Sequence, residues 1–242
     1  MVGMGFLDFL IGGNTLYYEG CLTRAVSKKT GENYEKILKL AGIDYINLRD
    51  AEICCGSPVV NAGYFEDFAE LQKKNERVFR EHAVKKILFS CPGCYHTFAD
   101  KYDMKGIECK HMTVAILEWL KEGKLKIKRK ASGKIAYHDP CHLGRCAGIY
   151  CEPRDVLRVL GYELVEMDRN RREALCCGGG GSFRANFPEM SAKIAKIRMK
   201  DAERTGARTL VTPCPLCYEH MKENKGGLEV LEFSEAVLRC LE

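Results

Sequence analysis

The order of the cysteines constrains this chain more than any other feature. Cys21, the pair Cys54-Cys55 followed by Gly56, and Cys91-Pro92-Gly93-Cys94 recur as Cys141, Cys176-Cys177-Gly178 and Cys214-Pro215-Leu216-Cys217. In the first copy 32 residues separate the lone cysteine from the pair, and 35 separate the pair from the C-x-x-C; in the second the gaps are 34 and 36. Ten of the 14 cysteines sit in the pattern. The repeat extends beyond them: Lys86–Tyr95 answers Arg208–Tyr218, and Lys105–Cys109 answers Gly226–Val230, at an offset of 120 to 123 residues. A period near 120 is too long for a solenoid and reads as a duplicated domain.

Apolar spacing within each copy predicts alternating strands and helices. A strand over 15–19 leads to Cys21, a helix covers 25–41 with Tyr34, Ile37, Leu38 and Leu40 apolar, and a strand over 44–48 precedes the Cys-Cys-Gly loop. A charged helix over 64–83 and a strand over 86–90 follow, then C-P-G-C with Pro92 in a helical first turn, then a helix over 113–121. The basic connector 122–133 marks the boundary between copies. The second copy predicts strands at 135–138, 163–167, 209–212 and 228–233. Its helices fall near 154–160 and 189–205, after C-P-L-C, and after a capping Ser234. This alternation predicts an α/β fold of two pseudo-symmetric tandem repeats, each a small parallel sheet with flanking helices. The expected division is a tail 1–14, a first domain 15–127 and a second domain 134–242. Functional loops in such sheets gather at the C-terminal ends of strands, where every motif cysteine falls.

Composition narrows the function class. Apolar residues make up 46% of 242, enough for a buried core, and a net charge of +5 spread along the chain does not suggest nucleic acid. Fourteen cysteines fall below the density of a disulfide scaffold. No secretory leader is read at the N-terminus, and the apolar stretch Met4–Ile11 is too short to span a membrane and is broken by Asp8. The expectation is a cytoplasmic protein, or one peripheral to a membrane complex but not spanning it, with cysteines used for metal or redox chemistry.

Thiolate is a soft ligand that selects zinc, copper(I) or iron–sulfur clusters. Structural zinc uses four ligands in a tetrahedron. Five cysteines exceed that, and adjacent thiolates diverge from one small ion but can serve two metals of a larger cluster. Iron–sulfur chemistry in both copies is favoured over zinc in one copy with a cluster in the other, and over bare thiols or disulfides. Gly56 and the run Gly178–Gly181 let backbone approach a large inorganic group, and their N–H groups suit an anion.

These residues resemble the CCG (cysteine-rich) domain, usually duplicated. It occurs in heterodisulfide reductase subunits and in iron–sulfur subunits of glycolate, lactate, glycerol-3-phosphate and succinate or fumarate oxidoreductases. Asn14–Cys21, His138–Arg145 and Cys176–Phe183 support the resemblance. It implies two non-cubane 4Fe-4S clusters, one on Cys21, Cys54, Cys55, Cys91 and Cys94, the other on Cys141, Cys176, Cys177, Cys214 and Cys217. It also implies an oxidoreductase subunit, active within a complex, that reduces a small-molecule thiol disulfide. The alternatives are an electron-relay subunit and a zinc-binding structural module. The chain has no ferredoxin-type cysteine run, so electrons are expected from a separate iron–sulfur or flavin subunit.

Outside the ligand set, His138, His142, Arg145 and Arg184 are the candidate catalytic or anion-binding residues, with His96 a weaker one. Cys109 and Cys240 read as core residues. Cys146 and Cys151 have no counterpart in the other copy and are candidates for a substitute ligand or a redox pair.

Overall fold

The computed structural model describes residues 13–242. Of the expected tail, residues 1–12 lie outside the described residues, and Asn14 already begins the first strand.

Two parallel sheets form. The first has the order β1 (Asn14–Tyr18), β2 (Val84–Phe89), β3 (Glu108–His111). The second contains β4 (Lys134–Tyr137), β5 (Glu163–Val165), β6 (Thr209–Thr212) and β7 (Glu229–Glu232), ordered β5-β4-β6-β7. Equivalent residues occupy equivalent registers: Ile87 pairs with Cys109 as Leu210 pairs with Val230. Leu16, Tyr17, Tyr18 and Ile87–Phe89 are fully buried, as expected for short apolar strands covered on both faces.

Helices α1 (Cys21–Ala25), α2 (Lys28–Leu40), α3 (Ser57–Asn61), α4 (Phe65–Glu81), α5 (Pro92–Lys101) and α6 (Met112–Lys121) flank the first sheet. Helices α7 (Cys151–Leu160), α8 (Phe183–Asn186), α9 (Pro188–Glu203), α10 (Pro215–Glu223) and α11 (Phe233–Leu241) flank the second. Pro92, Pro188 and Pro215 each open a helix, where a missing N–H costs nothing.

The largest apolar core belongs to both repeats. Tyr17, Tyr34, Ile37 and Ile116 pack with Tyr137, Leu157, Phe233 and Val237. Helix α2 meets α11, and α6 meets α7. The basic connector lies against this core: Leu125 is buried, and the Lys128 and Ala131 amides donate to the Cys240 and Leu160 carbonyls. Among the described residues, no helix is long and apolar enough to cross a membrane.

Three expectations need correction. The strand expected over 44–48 is a single bridge, Leu16 to Ile46, with one hydrogen bond to each side. It stops because Asn47 accepts the Arg49 amide and Arg49 adopts φ +46°, which turns the chain toward the cysteine pair. The closing helix is capped by Glu232 rather than Ser234; the Glu232 carboxylate accepts the Ser234 amide at 2.7 Å. The helix expected from 154 begins at Cys151, since Pro153 fits its first turn.

Candidate metal centre

Each thiol set forms where the sheet ends. Gly20, at φ +85°, turns β1 into α1, whose first residue is Cys21. Glu52 ties this turn to the pair: its buried carboxylate accepts the amides of Glu19 at 2.8 Å and Gly20 at 2.9 Å. Burial pushes that carboxyl up to about 7. Asn75 of α4 donates to the Cys54 carbonyl, and Tyr102 donates to the Cys55 carbonyl, both at 3.1 Å. Gly56 then takes φ +79°, and a Cβ there would lie 2.6 Å from the Phe68 ring. Its amide points at Cys54 Sγ, 3.4 Å away. Cys91 is the N-cap residue of α5, and hydrogen bonding from the Cys94 thiol lowers the Cys91 thiol to about 7.

The second set repeats this plan with different supports. Arg154, fully buried, forks onto Asp139 at 2.7 and 2.8 Å and onto Glu166 at 2.6 and 2.9 Å. Asp139 also accepts the Arg171 amide. Arg171 has φ +51°, matching Arg49 of the first copy. Arg145 donates to the Ala174 carbonyl at 2.6 Å, as Arg24 donates to the Glu52 carbonyl at 3.1 Å. The Gly178 and Gly179 amides point at Cys176 and Cys177 sulfurs, each at 3.4 Å. Ser191 donates to the Gly178 carbonyl and meets His220 Nε2 at 2.9 Å.

The thiols neighbour one another in one order in both copies. Cys21 contacts Cys54, Cys54 contacts Cys55, Cys55 contacts Cys94, and Cys94 contacts Cys91. Cys141, Cys176, Cys177, Cys217 and Cys214 do the same, with Cys177 and Cys217 sulfurs 3.2 Å apart. Hydrogen bonding from the flanking thiols holds Cys54 and Cys176 far below the ordinary thiol range, while Cys21 and Cys141 are pushed up. Cys54 and Cys176 are thereby the members of each set most ready to meet a metal as thiolates.

All five sulfurs of the second set line one cavity of 510 Å³, and Leu175, Phe183, Ile194 and Leu216 make its wall apolar. Pro92 and Gly93 of the first copy close the opposite side. That room, with five soft donors, fits a multi-atom cluster better than one tetrahedral ion.

The other candidates separate. His142 lines the cavity, its ring 5.7 Å from that of His96 and its Nδ1 3.1 Å from where a Gly93 Cβ would stand. His138 is fully buried and accepts from Arg198 Nε at 3.1 Å. Arg145 is exposed and tethers the cysteine-pair loop rather than facing the cavity. Arg184 is occupied by Glu223, one guanidinium nitrogen donating to both carboxylate oxygens at 2.7 Å. Cys146 and Cys151 are exposed and join neither thiol set; Cys109 is half-buried on β3, and Cys240 is buried in the shared core. Sequence reasoning missed Arg198, Arg154, Glu52 and Asn75. Their one trace was a polar residue on an otherwise buried helix face or loop.

A profile of the cysteine-rich domain (CCG) matches residues 15–99 and again 135–222. One subunit of the dihydromethanophenazine:CoB–CoM heterodisulfide reductase of Methanosarcina acetivorans is 32% identical over 227 residues, covering 89% of this chain and 55% of that protein. One subunit of the fumarate reductase (CoM/CoB) of Methanothermobacter marburgensis is 29% identical, covering 94% of this chain and 46% of that one. A probable iron-sulfur-binding oxidoreductase of Bacillus subtilis is 32% identical over 194 residues, covering 79% of this chain and 28% of its own length. The chain thus spans about half or less of these relatives. With one profile matching twice, on the two segments that build the two five-thiol turns, the chain belongs to the CCG cysteine-rich domain family.

Proposed function

We propose that this chain is an iron–sulfur subunit of an oxidoreductase complex, with a non-cubane 4Fe-4S cluster on each thiol set, and that it reduces a thiol disulfide at the cavity that the second set lines. The observation that carries this reading is the identical neighbour order of five thiols in both copies, one set opening whole onto a 510 Å³ cavity. Such clusters, when bound, supply single electrons and thiophilic iron. The reaction takes one disulfide, two electrons from a partner iron–sulfur or flavin subunit, and two protons, and yields two thiols.

The chain's own residues shape that site. Leu175, Phe183, Ile194 and Leu216 exclude water and suit the alkyl arms of a disulfide. Gly178 to Gly181 bring backbone to the cavity edge; at Gly178 a Cβ would crowd Ile194 and the Ser191 carbonyl at 3.1 Å. His142 presents its ring to the cavity from the turn after Cys141. The heterodisulfide reductase among the relatives supports a disulfide as substrate. The fumarate reductase among them supports a second reading, electron relay without a substrate of its own.

Iron, acid-labile sulfide and zinc on anaerobically purified chain test the proposal. Two four-iron clusters require about eight irons and eight sulfides per chain. About four irons with one zinc would move the reading to relay, and zinc alone after reconstitution would remove it. With both clusters present, disulfide consumption driven by a reduced viologen separates reductase from relay.

A further inference from the structure

The two thiol sets share an order but not a backing. At the repeat offset, Tyr18 is answered by His138, Phe68 by Ser191, Asn75 by Arg198, Thr97 by His220, and Glu52 by Ala174. Behind the first set stands an aromatic layer: Tyr18 against Phe98 at 5.0 Å between centroids, and Phe68 against Tyr102 at 5.6 Å. The Tyr18 hydroxyl is taken up by the Ile53 carbonyl, and Glu52 adds a buried carboxyl.

Behind the second set stand nitrogen donors. A guanidinium only donates, so the Arg198 Nε–H facing His138 Nδ1 at 3.1 Å makes that nitrogen an acceptor. The proton of the neutral ring is therefore on Nε2. Nε2 is buried and has no partner. A ring nitrogen of His138 and the sulfurs of Cys177 and Cys217 all lie within 4.8 Å of one another. An imidazole whose lone pair faces a guanidinium cannot ligate metal through its other nitrogen. His138 is thus a donor toward sulfur and not a sixth ligand.

We propose that His138, oriented by Arg198, donates its Nε2–H to the sulfurs of the second site and makes that site the more readily reduced of the two. The proposal rests on the reading that both thiol sets hold iron–sulfur clusters. Hydrogen bonds to cluster sulfur and local charge set cluster potentials, and donors that stabilise added negative charge raise them. Tyr18 offers the first site no such donor, because its hydroxyl is spent on the Ile53 carbonyl. Electrons entering at the first site would run downhill to the second.

The test is an anaerobic redox titration followed by electron paramagnetic resonance, with iron and sulfide counted in every preparation. The second-site signal is the one lost in Cys177→Ala. In the wild-type chain it is expected to appear first on reduction; the reverse order overturns the proposal. His138→Phe removes the donor and should disfavour reduction of that site about tenfold, about 59 mV for one electron, leaving the first site unmoved. His138→Gln keeps an N–H and should recover most of the shift. A fully loaded His138→Phe chain with an unmoved second potential, or with both potentials moving together, overturns the proposal and leaves the iron–sulfur reading standing. A wild-type chain that takes up no iron and sulfide overturns both.

Discussion

On the helix after the first cysteine, Tyr34 in one repeat corresponds to Arg154 in the other, 120 residues on. Both are fully buried, and both lie beside the equivalent strand tyrosine: Tyr34 is 6.4 Å from Tyr17 between ring centroids, and the Arg154 guanidinium is 4.7 Å from the Tyr137 ring. Tyr34 gives one hydrogen bond, at 3.0 Å to Glu232. Arg154 instead holds two carboxylates in a fork. One scaffold position is thus met once by an aromatic and once by an ion triad. The apolar seam dictates the volume at this position, while the chemistry differs with whether the neighbouring turn carries Glu19 or Asp139.

The largest contrast to test is between the thiol sets. Cys55→Ala and Cys177→Ala should each remove about half of the iron and sulfide, with the remainder traced to the intact set. Loss of all metal from either variant would mean that the sets do not load independently. Next comes Arg154→Ala, expected to cost about 3–5 kcal/mol in chemical denaturation, because Asp139 stays buried without its partner.

The closing caps sharpen the comparison further. His111 and Glu232 occupy equivalent helix starts, and each side chain accepts an amide two residues on. Burial pushes His111 down to about 3 and Glu232 up to about 7. The folded state therefore holds the Glu232 proton more tightly than the unfolded chain, so this group loses stability as pH rises from about 4.5 to 7. His111 acts in the opposite sense: its contribution is present above about pH 6.5 and is lost as pH falls toward 3. Denaturation across pH should show Glu232→Gln gaining on wild type by up to about 1.4 kcal/mol per unit in the upper window, and His111→Asn gaining in the lower one. Equal slopes in both variants would erase the distinction. The smallest expected effect is Tyr34→Phe, about 1 kcal/mol for one hydrogen bond, well below the cost at Arg154.

Much of the fold was legible because repetition and period are local signals. Ile87–Phe89 and Leu210–Val211 announced themselves as buried strands, and Pro92 and Pro215 as helix starts. The ten thiols were legible by spacing alone. What was not legible depends on contacts across long separations. Arg198 meets His138 across 60 residues, and a lone arginine on an amphipathic helix reads as solvent-facing. Arg145 and Arg184 stood near the motifs, yet both are held by carbonyls or a carboxylate outside the cavity. The strand at 44–48 failed because one left-handed residue, Arg49, outweighed a run of β-forming neighbours.

Each repeat leans on the other at its most demanding point. The C-P-G-C helix α5 rests on the turn after Cys141, and the C-P-L-C helix α10 rests on α1 after Cys21, where Ser27 donates to Glu219 at 2.5 Å. Gly93 leaves its space to His142 in the same way. The two copies are therefore not free to drift as separate lineages. A larger residue at 93 demands a smaller one at 142, and a change at 219 falls on 27. Among descendants of one duplicated gene, the sharpest correlated substitutions should pair positions from opposite halves.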